Sequence, residues 1–79
     1  MQRKPTSPGE ILLEEMLIPL EMTQEELADY LQCDYKVINR IIHEKATVTP
    51  ELASKLASVF NTTPEFWLNA QMALDDFRK

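Results

Sequence analysis

Apolar residues recur at helical spacing in five blocks along the chain, and each block follows a start signal. The first holds Leu12, Leu13, Met16 and Leu17 behind Ser7-Pro8-Gly9-Glu10, with Ser as N-cap, Pro at the first helical position and Glu completing a capping box. Pro19 is expected to force Ile18 out of the α region and so end this helix near Leu17. Behind a second capping box, Thr23-Gln24-Glu25-Glu26, the stripe Leu27, Ala28 and Leu31 predicts a short helix over 24–31. Asp34 caps a third helix, Tyr35 to His43, and the brief Gln32-Cys33-Asp34 connection makes the two lie across one another. Thr49-Pro50-Glu51 and Thr63-Pro64-Glu65 repeat one start signal, an acid in the first turn facing the positive end of the helix dipole. The fourth helix carries Leu52, Ala53, Leu56, Ala57, Val59 and Phe60 and stops at Asn61, a residue that tolerates the left-handed conformation. The fifth runs from Pro64 toward Phe77. A single glycine among 79 residues argues against tight hairpins. The expected fold is therefore all-α, with five helices in one domain over residues 7–79, a helix-turn-helix at the second and third, and a flexible arm over residues 1–6.

On a wheel of about 100° per residue, Tyr35, Asn39, His43, Lys36 and Arg40 fall in one arc of roughly 140° on the third helix. Val37, Ile38, Ile41 and Ile42 fill the other side and are expected to be buried. The polar arc contains no acid, and all five of its side chains donate hydrogen bonds. Lys36 and Arg40 are like charges at i, i+4, an arrangement that weakens an isolated helix, so the face is not built for solubility alone. A helix presented after a capped helix and a three-residue turn fits a DNA major groove, where Arg or Lys reads guanine and Asn reads adenine. Gln24 sits at the first turn of the second helix, where free backbone N–H groups suit a phosphate.

The net charge of −5 changes this picture only in its distribution. Between Tyr35 and Lys45, Lys36, Arg40 and Lys45 face one acid, Glu44, so this segment carries +2 and the remainder −7. Positive charge is thus concentrated where phosphate contacts are needed. One cysteine, Cys33, and one histidine, His43, exclude an intramolecular disulfide and a zinc cluster. No apolar run approaches a membrane span and no signal peptide opens the chain, which points to the cytoplasm. Enzyme classes fare no better. No Ser or Cys stands at triad spacing from His43, the pairs Glu14-Glu15 and Glu25-Glu26 splay about 100° apart on their helices, and Gly9 stands alone without a phosphate-binding loop. No cofactor is expected.

The segment Thr23-Gln-Glu-Glu-Leu-Ala-(x)2-Leu31, with Val37-Ile38 and Ile41-Ile42, resembles the lambda-repressor-like or XRE helix-turn-helix family. Pro8-Gly-Glu-Ile-Leu-Leu-Glu-Glu15 ahead of it and Phe66-Trp-Leu-Asn-Ala-Gln71 behind resemble HigA-type antitoxins, and the likeness covers about residues 7–74. It implies a dimer that represses its own operon at a palindromic operator and neutralises a messenger-RNA-cleaving toxin. A free-standing or prophage repressor, and a protein-binding module without DNA binding, are the alternatives. Carried over, the family's phosphate contact falls on Gln24 and its groove-reading positions on Tyr35, Lys36, Asn39 and Arg40. Where the family often has Asn-Gly-Lys-Arg after this helix, the chain has His43-Glu44-Lys45-Ala46, which lacks the glycine of an easy left-handed cap. Glu44 is expected to pair with Arg40.

The fifth helix carries two apolar arcs. Phe66, Ala70, Leu74 and Phe77, with Trp67 at their edge, read as the lid of the core. Leu68 and Met72 lie on the other side and, with Phe77, read as a homodimer or partner surface.

A dimer that duplicates Lys36, Arg40 and Lys45 neutralises several phosphates. Its affinity for duplex DNA is expected to fall steeply with salt, each phosphate adding about −0.9 to the log–log slope. Titrations between low and physiological salt check this, and a flat profile would remove the phosphate-contact mechanism.

Overall fold

The computed structural model describes residues 3–78, so Met1 and Gln2 of the expected arm and Lys79 lie outside the described residues. Its helices are α1 (Pro8–Glu10), which runs directly into a π-helical stretch (Ile11–Leu17), then α2 (Gln24–Leu31), α3 (Tyr35–Ile42), α4 (Pro50–Phe60) and α5 (Pro64–Phe77). Among the described residues there is no strand. Every start signal forms: the side-chain oxygens of Ser7, Thr23, Asp34, Thr49 and Thr63 accept from Glu10, Glu26, Lys36, Leu52 and Phe66 N–H at 2.9–3.2 Å. At Thr23 the box is reciprocal, the Glu26 carboxylate accepting from the Thr23 N–H at 3.1 Å. These caps satisfy amides that would otherwise be orphaned at the first turn.

The helix ends follow a rule that the sequence conceals. Glu21, Gln32, Glu44 and Asn61 have φ of 53°, 55°, 60° and 56°, and none of them is glycine. Each of the first three closes a helix by the same pair of bonds, its own N–H reaching back three residues and the next N–H back five: Glu21 to Ile18 and Met22 to Leu17, Gln32 to Asp29 and Cys33 to Ala28, Glu44 to Ile41 and Lys45 to Arg40. Asn61 ends α4 as expected, with the Thr62 N–H on the Ala57 carbonyl at 3.1 Å. Such a conformation costs a non-glycine residue about 1–2 kcal/mol, repaid by the carbonyls it satisfies.

Pro19 does not act as expected. Ile18, at φ −64° and ψ −52°, stays in the α region. The regular helix does end at Leu17, but Ile18 N–H donates to the Leu13 carbonyl five residues back, and helical winding continues through Pro19 to the closure at Glu21. Proline clashes with the carbonyl four residues before it in a tight α-turn, and the wider π spacing loosens the turn ahead of the ring.

All five helices bury residues in one core: Ile11, Leu12 and Leu17 from the first, then Leu27, Ala28, Leu31, Ile38, Ile41, Ala53, Leu56 and Trp67, with Val48 from the α3–α4 loop. The first helix packs on α3 and α5, α2 on α3 and α4, and α4 on α5. The buried face of α5 is Trp67, Gln71 and Leu74, not the expected Phe66-Ala70-Leu74-Phe77 arc, since Phe66 and Phe77 are 41% and 39% exposed. Trp67, the largest fully buried side chain, turns inward, and its indole N–H finds the Thr62 hydroxyl at 2.8 Å. Phe66 instead covers the indole edge-on, ring centroids 5.2 Å apart. The buried Gln71 accepts from Val48 N–H at 3.0 Å and donates to Asp75 at 2.9 Å, so its amide anchors the loop that follows α3.

Gly9, the one glycine of the chain, lies where the first helix crosses the end of α3. A Cβ there would fall 2.8 Å from Ile42 Cα and 2.9 Å from the Ile42 carbonyl oxygen, and closer still to the Ile41 carbonyl oxygen. Backbone meets backbone, and no side chain can rotate away to make room.

Glu44 faces away from Arg40. Its carboxylate lies 2.7 Å from Lys4 Nζ and 2.7 Å from an Arg78 guanidinium nitrogen, so the left-handed residue ties the segments before the first helix and after α5 to the end of α3. The positive φ swings the side chain toward the first and fifth helices. The hydrogen bond from Lys4, aided by the charges of Lys4 and Arg78, lowers the Glu44 pKa against the opposing effect of desolvation.

Gly9→Ala is expected to destabilise the fold by about 1–3 kcal/mol through overpacking, measured by urea unfolding; unchanged stability would mean that the crossing can open freely. Because the Glu44 pKa is lowered on folding, its stabilisation is present above the unfolded carboxylate range, near pH 4.3, and is lost as pH falls through the folded value. The stability difference between the parent chain and Glu44→Gln is therefore expected to be constant near neutrality and to vanish at low pH. A difference that persists in acid would remove the ion pairs as its cause.

Candidate nucleic-acid interface

The helix-turn-helix is built by three local devices in succession. The reciprocal box at Thr23 fixes the start of α2, the left-handed Gln32 turns the chain, and Asp34 caps α3 by accepting from Lys36 N–H at 2.9 Å. Cys33 lies half-buried between them, and desolvation raises its thiol pKa. Leu31 and Ile38 pin the two helices into the core on either side of the turn. What remains outside is the face of α3 and the first turn of α2.

On that face Tyr35, Lys36, Arg40 and His43 are exposed, and Asn39 is half-buried. Asn39 joins the two helices: its amide nitrogen donates to Gln24 Oε1 at 3.3 Å and, more weakly, to the Tyr35 hydroxyl at 3.5 Å. With its oxygen turned to Asn39, Gln24 keeps its own NH2 group for an acceptor outside, next to the free N–H groups of the α2 terminus. The amides of Gln24 and Asn39 are thus set as a pair before any ligand arrives, while Lys36 and Arg40 stand beside them as exposed cations. An array of donors without an acid is suited to phosphate and base edges.

Two expected members lie further along. His43 is the C-terminal cap of α3, and Lys45 follows the left-handed Glu44, beside a recess that it lines with Ser7, Gln71 and Arg78. Glu44 brings no open charge to this end of the helix, since Lys4 and Arg78 hold it. Of the four residues assigned to the buried side, Ile38 and Ile41 are 0% and 3% exposed, whereas Ile42 is only partly buried and Val37 is 37% exposed. Nothing in the residue order marked Lys4 or Arg78 as partners of Glu44, because that contact spans forty residues in one case and thirty-four in the other.

Of the residues expected to form a partner surface on α5, Met72 is 59% and Phe77 39% exposed, while Leu68 is half-buried against the core. Among the described residues there is no cluster of groups able to hold a metal ion, and no helix is long and apolar enough to cross a membrane.

Comparison with known proteins agrees with this geometry. A family model described as helix-turn-helix matches residues 13–67. An uncharacterized HTH-type transcriptional regulator of Haemophilus influenzae is 49% identical, over 95% of this chain and 70% of its own length. Antitoxin HigA-1 of Vibrio cholerae is 38% identical over 94% of this chain and 70% of its own. The solved structure of Pseudomonas aeruginosa antitoxin HigA with higBA promoter superposes with a TM-score of 0.86 at 31% identity, covering 90% of this chain and 77% of that one. The chain therefore spans about two thirds or slightly more of the length of its relatives. With its five-helix, all-α, lambda-repressor-like architecture, the chain belongs to the helix-turn-helix family of the XRE type, a family of DNA-binding regulators and not of enzymes.

Proposed function

We propose that the chain is a cytoplasmic, sequence-specific transcriptional repressor that binds a palindromic operator as a homodimer and acts as the antitoxin of a HigBA-type pair. The observation that carries the DNA reading is the prearranged Gln24–Asn39 pair beside exposed Lys36 and Arg40, on a helix held by caps at both ends. In this reading Gln24 contacts phosphate, while Tyr35, Lys36, Asn39 and Arg40 reach base edges. His43 and Lys45 follow the backbone beyond. Two protomers are needed because one short recognition helix gives too little discrimination against non-specific DNA. Met72 and Phe77, exposed on α5, with the half-buried Leu68 at their edge, are the surface offered for pairing or for a toxin.

The antitoxin role draws support from the Vibrio cholerae and Pseudomonas aeruginosa proteins, which are antitoxins by name. A second reading, repression without a toxin, is favoured by the Haemophilus influenzae relative, which has the higher identity and is described only as a transcriptional regulator.

The purified protein is expected to retard a fragment from upstream of its own gene, two chains per site, while Lys36→Ala and Arg40→Ala each lose about 1–3 kcal/mol per half-site with melting nearly unchanged. Mobility shift and thermal unfolding check both parts. Either variant unfolding would displace the side chain from the interface, and a parent chain that ignores the fragment would overturn the repressor. Co-expression with the neighbouring reading frame separates the two readings, since an antitoxin rescues growth from that product and co-purifies with it.

A further inference from the structure

We propose that Lys4 and Arg78 are positioning residues for DNA binding that act through Glu44, keeping its carboxylate covered so that its charge does not repel the operator backbone. The inference rests on the reading of α3 as the recognition helix and deepens it. His43 and Lys45 flank Glu44 in the chain, and in that reading both follow the phosphates. An acid between them carries the wrong charge for its place. Phosphates contacted by its neighbours stand within roughly one Debye length, about 8–10 Å, where open like charges still repel. The donor face of α3 contains no acid of its own, so Glu44 is the residue at this end of the helix whose charge must be managed.

The geometry manages it from two sides. Glu44 Oε1 lies 2.7 Å from both Lys4 Nζ and an Arg78 guanidinium nitrogen, and Lys4 also donates to Oε2 at 2.8 Å. One negative charge thus meets two positive ones, and the cluster as a whole is cationic. Exposure is ordered in the same sense: the Glu44 side chain is 18% exposed, those of Lys4 and Arg78 44% and 47%. The acid is inside and its cations face solvent. Folding alone gives a weak reason for this arrangement, since ion pairs to cations so exposed add little to stability. A glycine would also fill the left-handed turn at φ 60° without strain and without partners. With both cations removed, an open carboxylate stands beside Lys45 and opposes its phosphate contact.

The test measures affinity by fluorescence anisotropy at low salt for the fragment from upstream of the gene and for an unrelated duplex of equal length. Four chains are compared: the parent, Glu44→Gln, the double variant Lys4→Ala with Arg78→Ala, and the triple variant that combines all three changes. The double variant is expected to bind both duplexes about fivefold more weakly, one uncovered charge acting in each half-site, and the loss is expected to shrink as salt rises. Adding Glu44→Gln to it is expected to restore most of the affinity, whereas Glu44→Gln in the parent changes affinity by less than about twofold. Equal gains from Glu44→Gln in both backgrounds would mean that the charges act independently, and would overturn the proposal. So would a triple variant as weak as the double, since Lys4 and Arg78 would then touch phosphate themselves or merely brace the fold, and so would a double variant that binds like the parent. Thermal unfolding accompanies each measurement; the double and triple variants lack the same cations, so a loss caused by a weakened fold is shared by both. Each of these failures leaves the repressor reading intact, while a parent chain that binds neither duplex would overturn that reading and the proposal together.

Discussion

The fold turns on one crossing, where the backbone of the first helix at Gly9 touches the backbone of α3 at Ile41 and Ile42. Nothing thicker than a hydrogen fits between them. Because α3 is short, its direction is set by what holds its two ends, and this contact holds the second as the Asp34 cap holds the first. Around it the remaining devices are arranged in order: Ser7 starts the helix that makes the approach, the left-handed Glu44 turns the chain aside just beyond, and Gln71 captures the loop at Val48. A recognition surface of a few side chains requires its helix to be placed closely. Here that placement is a matter of backbone against backbone.

The starts of the helices were legible in the residue order because capping is local chemistry. A Ser, Thr or Asp oxygen meets an amide two or three residues later, and no distant partner is involved. The ends were much less so. Asn61 could be recognised as a left-handed residue, but Glu21, Gln32 and Glu44 adopt the same conformation without the composition that announces it. Their conformations are imposed by the closure bonds and by the packing on either side, which the pattern of single residues does not express. The π-helical stretch was hidden for a related reason, since its apolar spacing differs little from that of an α-helix over two turns.

Rotation about a helix axis was the other point at which local reading failed. Phe66 and Trp67 differ by one residue and so by about 100°, and hydrophobicity alone does not choose between them. The choice was made by the Thr62 hydroxyl, which accepts the indole N–H, and by Gln71, a polar residue that the inward face keeps because the loop needs its amide. The polar face of α3 was legible, since Tyr35, Lys36, Arg40 and His43 all stay exposed. What was not legible was the exposure of Val37, which borders a recess shared with α4 and its preceding loop.

The carboxylate of Glu44 brings together two residues that stand at opposite ends of the described chain, Lys4 and Arg78. In space the described residues nearly close on themselves, with the seam just beyond the end of α3. Ends that meet in this way can be joined or interrupted elsewhere with little entropic penalty, which is the condition under which circularly permuted chains keep their fold. They also form a single point of mechanical attachment.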